Sequence, residues 1–129
     1  MVSLSQRTAA LKARLETKPG SEAMVITPPR SSVPNAVRYK VMGKMFAILS
    51  IRGAEYVILK CDAHLVEVLR EQYAGIGHRT HLDRRHWICV TLDADVPEAE
   101  IERLADHAYD VVCAGLTRKQ IADLRGETA

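Results

Sequence analysis

The stretch Val37-Arg38-Tyr39-Lys40-Val41-Met42-Gly43-Lys44-Met45-Phe46-Ala47-Ile48-Leu49-Ser50-Ile51 decides the fold. Val37, Tyr39 and Val41 alternate with Arg38 and Lys40, the period of two expected of a strand with one buried face, and its polar face carries positive charge. Met42-Gly43 makes a tight turn. Lys44 to Ile51 is apolar at nearly every position, which predicts a central strand covered on both faces. Arg52-Gly53 turns the chain again, and Glu55 to Cys61 completes a meander of three strands.

Working toward the N-terminus, Thr27 to Asn35 holds three prolines and two serines, so it cannot supply a ladder's donors and reads as a surface loop. Before it, Ala23-Met24-Val25-Ile26 reads as an edge strand. Leu4, Ala10, Leu11 and Leu15 mark the apolar stripe of a first helix, capped by Ser5 or Ser3 and stopped by Pro19-Gly20. Toward the C-terminus, Asp62 is placed to accept amide protons of a second helix. Leu65, Leu69 and Tyr73 form its inner face, flanked by Val66 and Val68, and Gly75 and Gly77 end it. A loop running to Arg85 precedes a strand from His86 to Leu92. Asp95, Pro97 and Glu98 form a capping arrangement for a long helix whose stripe is Ile101, Leu104, Ala105, Ala108, Val111 and Val112. Gly115 stops that helix, and Thr117 to Leu124 forms a short last one. The sum is an α+β domain spanning residues 1–129, with an antiparallel sheet of four to five strands and helices packed on one face.

A chain of 129 residues with 47% apolar content builds one core. Its formal charge of +2, from 18 bases and 16 acids, is too balanced to identify a nucleic-acid binder by composition. The distribution is uneven. Arg7, Lys12, Arg14, Lys18, Arg30, Arg38, Lys40 and Lys44 face only Glu16 and Glu22 in the first part, whereas Asp93 to Asp110 holds seven acids against Arg103. Cys61, Cys89 and Cys113 are odd in number, far apart and without C-x-x-C spacing, which argues against a disulfide framework and a zinc knuckle and fits a reducing, cytoplasmic setting. No apolar run has the length of a signal peptide core or a membrane span.

Four blocks carry a family resemblance: Tyr39 to Leu49, Leu59-Lys60-Cys61-Asp62, His81-Leu82-Asp83-Arg84-Arg85-His86-Trp87, and His107-Ala108-Tyr109-Asp110-Val111-Val112. In order and spacing they resemble the MmcQ/YjbR-like family over roughly residues 36 to 116. The resemblance implies that family's α+β arrangement, of the frataxin-like CyaY fold group, and a DNA-binding label that rests on a proposed double-wing comparison. Three positions depart from the family pattern. Val25-Ile26-Thr27-Pro28-Pro29 stands where relatives have an aromatic-glycine stretch, Arg79-Thr80 replaces a Gly-Tyr pair, and Asp83-Arg84 replaces Asn-Lys.

Two function classes follow. In the first, Arg38, Lys40, Lys44 and Lys60 line a sheet face and neutralise DNA phosphates, while Arg84 and Arg85 add phosphate contacts and Trp87 a stacking surface. The bland alternative is a solvated sheet face, with Trp87 in the core and one arginine paired to Asp83. In the second, His81, His86 and Trp87 line a pocket for a small molecule. His78, His81 and His86 lack the spacing of a zinc motif, and His107 reads as a hydrogen-bonded structural histidine. Cys61 and Cys89 lie in apolar strands where inert thiols are expected, and neither a phosphate-cradling glycine loop nor a nucleophile elbow is present. The expectation is therefore a non-enzymatic protein without a cofactor.

Overall fold

In the computed structural model, residues 4–78 and 82–126 are described. The meander forms as its alternation dictates. Strand β1 (Ser21–Ile26) pairs with β2 (Ala36–Val41), β2 with β3 (Lys44–Ser50), and β3 with β4 (Tyr56–Lys60), each antiparallel. The other two strands follow the second helix. They are the two-residue β5 (Ile76–Gly77) and β6 (Trp87–Thr91), which enters beside β4, so the sheet has six strands in the order β1-β2-β3-β4-β6-β5. The sixth strand is β5, formed where Gly75 and Gly77 suggest only a helix end. A two-residue strand is too short to leave a pattern.

Among the described residues the helices are α1 (Gln6–Glu16), α2 (Ala63–Gln72), α3 (Glu98–Ala114) and α4 (Arg118–Arg125). Ser5 caps α1, Asp62 caps α2 through the His64 amide, and Thr117 with Gln120 forms a capping box on α4. Asp95 does not cap α3. Pro97 stands at that position without a side-chain bond, and the Asp95 carboxylate instead accepts the Ala74 and Gly75 amides at 2.8 and 2.7 Å. Those two bonds tie the end of α2 to the loop after β6, and they hold the Asp95 carboxyl below the usual range.

One face of the sheet carries the main core. Val37, Tyr39 and Val41 of β2, Val57 and Leu59 of β4, and Ile88 and Val90 of β6 are buried with Leu11 and Leu15 of α1, Val66 and Leu69 of α2, and Ile101, Leu104, Ala105 and Ala108 of α3. Phe46 of β3 meets Tyr109 of α3 edge to face, with ring centroids 5.5 Å apart, a pair contributing about 0.5–1.5 kcal/mol beyond area burial. Three details of the expected stripes change. Tyr109 rather than Val111 is buried in α3, Thr8 rather than Ala10 in α1, and Val68 of α2 is exposed.

The register is irregular between Tyr39 and Lys40, where Tyr39 faces Ala47 but Lys40 faces Met45. One extra residue, Phe46, is thus inserted in β3, and the alternation reverses across it. Met45 and Ile48 lie on the face away from the helices, while Phe46 and Ala47 both belong to the main core.

Candidate functional site

The helix-free face of the sheet holds a second, small apolar cluster. Ile58, Trp87 and Cys89 are buried there, with Met45, Ile48, Tyr56 and Leu82 packed around them. Cross-strand pairs explain the cluster: Ile48 faces Ile58, Ile58 faces Cys89, and Lys60 faces Trp87. Trp87 is 7% exposed, so it serves as the floor of this face rather than as a displayed stacking surface. The Lys60 ammonium covers its ring at 5.2 Å.

Around this floor the strand parity displays cations. Arg38 and Lys40 alternate with the buried Val37, Tyr39 and Val41, and Lys40 pairs with Met45 near the Met42-Gly43 turn. Lys60 lies two strands away at the same end of the sheet, a spacing of roughly 10 Å. Glu22 of β1 stands opposite Lys40 in the register. Among the described residues, no carboxylate oxygen lies within 4.0 Å of Arg38, Lys40, Lys60 or Arg84.

Lys44 is not part of this face. The residue inserted at Phe46 turns it toward the helices, and its Nζ donates to the Gly115 carbonyl at 3.3 Å, where a cation complements the C-terminal end of α3. Four other cations of the basic N-terminal half are ion-paired away from this face. Arg7 pairs with Glu55, Lys12 with Glu16, and both Arg14 and Lys18 with Asp106. Of the cations in that half, Arg38 and Lys40 are the ones the sheet displays beside the apolar floor.

The loop into β6 is a built turn. The Asp83 carboxylate accepts the Arg85 amide at 2.9 Å and bonds His86 Nδ1 at 2.8 Å, and the His86 amide donates to the Asp83 carbonyl at 3.1 Å. The Arg85 amide, then the His86 ring, hold the Asp83 carboxyl below the usual range. His86 therefore organises the turn, and Arg85, whose side chain is 83% exposed, projects from it. His81 lies outside the described residues, as do Arg79 and Thr80. His107 Nε2 accepts the Asp62 amide at 3.3 Å, a structural role joining α3 to the start of α2.

Sequence reasoning passed over Arg70, in the last turn of α2. Its Nη2 donates to the carbonyls of Arg84 at 2.9 Å and Trp87 at 3.4 Å, which fastens the turn to the helix. Only its position in a last helical turn was legible, and that signals a helix end rather than a loop anchor. The two largest cavities described, about 670 and 650 Å³, lie against α3 and α4 and against α1 and α3, and neither reaches His86 or Trp87. Cys61, at the end of β4, is buried, and burial pushes its thiol up to about 11, the behaviour of an inert thiol. No group of three His, Cys, Asp or Glu side chains that could hold a metal occurs among the described residues.

Known proteins share this frame. A crystal structure of a Deinococcus radiodurans protein carrying the domain DUF419 superposes with a TM-score of 0.75 at 28% identity, covering 90% of this chain and 86% of that one. A Pseudomonas syringae protein superposes with a TM-score of 0.62 at 20% identity, over 80% of this chain and 96% of the other, which speaks to the fold. In sequence, the uncharacterized protein YjbR of Escherichia coli K12 is 33% identical over 96 residues, covering 71% of this chain and 75% of that protein. The uncharacterized protein YbdF of Escherichia coli O157:H7 is 28% identical over 82 residues, covering 63% and 67%. The YjbR family model matches residues 17–111, taking in the meander, the turn beneath Trp87 and most of α3, and the chain belongs to the YjbR family.

Proposed function

We propose that the helix-free sheet face binds DNA through its phosphates. The observation that carries this reading is the grouping at the rim of an apolar floor of Arg38, Lys40, Lys60 and Arg84, none of them ion-paired among the described residues, together with Arg85, which projects from the turn while paired to Asp83 at 3.8 Å. The acidic helix α3 packs on the opposite side of the sheet, so its charge is set away from a bound strand. Phosphate contacts position a nucleic acid without reading its bases, and the buried Trp87 offers no free ring for stacking, so binding has little sequence preference.

Fluorescence anisotropy with labelled duplex and single-stranded oligonucleotides tests the proposal. Four phosphate contacts on a duplex give a slope of about −3.6 in log affinity against log salt, so affinity falls roughly a hundredfold between 50 and 200 mM salt. Absence of salt-dependent binding at tens of micromolar protein in 50 mM salt overturns it.

A further inference from the structure

Strand β1 forms an outer edge of the sheet without the devices that keep such an edge from pairing. It runs six residues in unbroken register with β2 and contains neither proline nor lysine, whereas the opposite edge, β5, is two residues long. Its apolar side chains face solvent, Met24 at 57% and Val25 at 59% exposure. The direction of its backbone groups follows from one bond. The Asn35 amide donates to the Ile26 carbonyl at 2.9 Å, so Ile26 points its backbone at β2, and by alternation Met24 and Glu22 do the same. Ser21, Ala23 and Val25 therefore direct theirs outward. The Ser21 amide is taken by the Lys18 carbonyl at 3.0 Å, while among the described residues no loop or side chain bonds the backbone of Ala23 or Val25.

We propose that β1 is a self-pairing edge, through which a second copy of the chain extends the sheet antiparallel about a two-fold axis at Met24. In that register Ala23 of each copy stands opposite Val25 of the other, and each such pair exchanges both of its N–H···O=C bonds, so the outward donors and acceptors of the two residues are all satisfied. A foreign strand satisfies the same backbone bonds, but the side chains fit a copy. Met24 meets the second Met24 on the helix-free face, and on the other face, shared with Val37 and Tyr39, Val25 lies beside the small Ala23. The two Glu22 side chains fall roughly 14 Å apart along the seam, so like charges do not meet. The seam is smaller than the roughly 1,200–2,000 Å² of a stable interface, so the dimer forms at micromolar concentrations and above. It joins the two helix-free faces into one surface and stands independently of what that surface binds.

Sedimentation velocity of the full chain over a range of concentrations tests the pairing, together with two cysteine variants under mild oxidation and the native chain as the control for Cys113. In the proposed register the two Met24 Cα atoms are about 4.5 Å apart, within disulfide range, and the two Glu22 Cα atoms are far outside it. The expected result is a concentration-dependent dimer, a disulfide-linked dimer with Met24→Cys, and none with Glu22→Cys or the native chain. Ala23→Pro removes one outward N–H from each copy and leaves the ladder to β2 in place, so it should weaken self-association at least about tenfold while the circular dichroism spectrum is retained. A dimer that forms without cross-linking through Met24→Cys and is unaffected by Ala23→Pro lies on another surface and overturns the proposal. A chain that stays monomeric to several hundred micromolar, with Met24→Cys uncrosslinked, overturns it as well and leaves the edge to a strand from another protein.

Discussion

Replacing Asp106 with Asn removes the hub that joins α1 to α3, and the size of its effect depends on pH in a way the structure specifies. Asp106 accepts two bonds from Arg14, at 2.9 and 2.7 Å, and meets Lys18 at 2.5 Å. The Arg14 bonds, then Lys18, bring its carboxyl from the ordinary 3.8 to about 2, against an opposing push from partial burial. Taken at face value, that displacement corresponds to about 2.4 kcal/mol. The side chain is 31% exposed and Arg14 is 40% exposed, so solvent screening reduces it to about 1 kcal/mol. Because the folded carboxyl titrates below the unfolded one, the stabilisation is complete above pH 4 and disappears as pH falls from about 4 to about 2. Urea unfolding of both proteins should therefore give a gap of about 1 kcal/mol at pH 7, equivalent to about 4 °C in Tm, which closes as the pH approaches 2. A gap that stays constant from pH 7 to pH 2.5 refutes the electrostatic account and assigns the loss to packing.

Three further outcomes follow from single contacts. Gly20 has φ +72° and a Cβ there would overlap the Leu124 side chain, so Gly20→Ala should cost about 1–2 kcal/mol and raise amide exchange across Arg118–Arg125. Asp95→Ala leaves the Ala74 and Gly75 amides without their acceptor and should lower Tm in calorimetry at pH 7; the loss should fade in acid as the native carboxyl is protonated. Iodoacetamide at pH 8, followed by mass spectrometry, should label the half-buried Cys113 in the native protein far faster than Cys61, whose thiol is pushed up to about 11 by burial.

Much of the sheet was legible because each strand's pattern states its own burial. Val37, Tyr39 and Val41 alternate cleanly, and Asp62 caps the next helix as its position suggests. What escaped the reading depends on contacts between distant segments. Counting by twos from Ile48 through Phe46 to Lys44 places Lys44 beside Lys40, and the residue inserted at Phe46 reverses that count and turns Lys44 to Gly115. Asp95 precedes Pro97 as a cap would, yet its carboxylate serves amides twenty residues earlier in the chain. The excess of bases before Lys44 suggested a basic surface, but four of them are spent on acids, Glu16 and Asp106 in the helices and Glu55 in the turn before β4. Trp87 could be read as displayed or buried, and the choice is made by Ile58, Cys89 and Lys60, which no local pattern brings to it.

The most direct measurement of the central claim is the salt dependence of DNA affinity in three proteins: the native chain, Lys40→Gln/Lys60→Gln, and Lys44→Gln. If the helix-free face makes the contacts, the double substitution should flatten the duplex slope by about 1.8, whereas Lys44→Gln, in β3 with its side chain bonded to the end of α3, should leave it unchanged. Equal slopes in all three proteins, or a loss confined to Lys44→Gln, would contradict the assignment of this face.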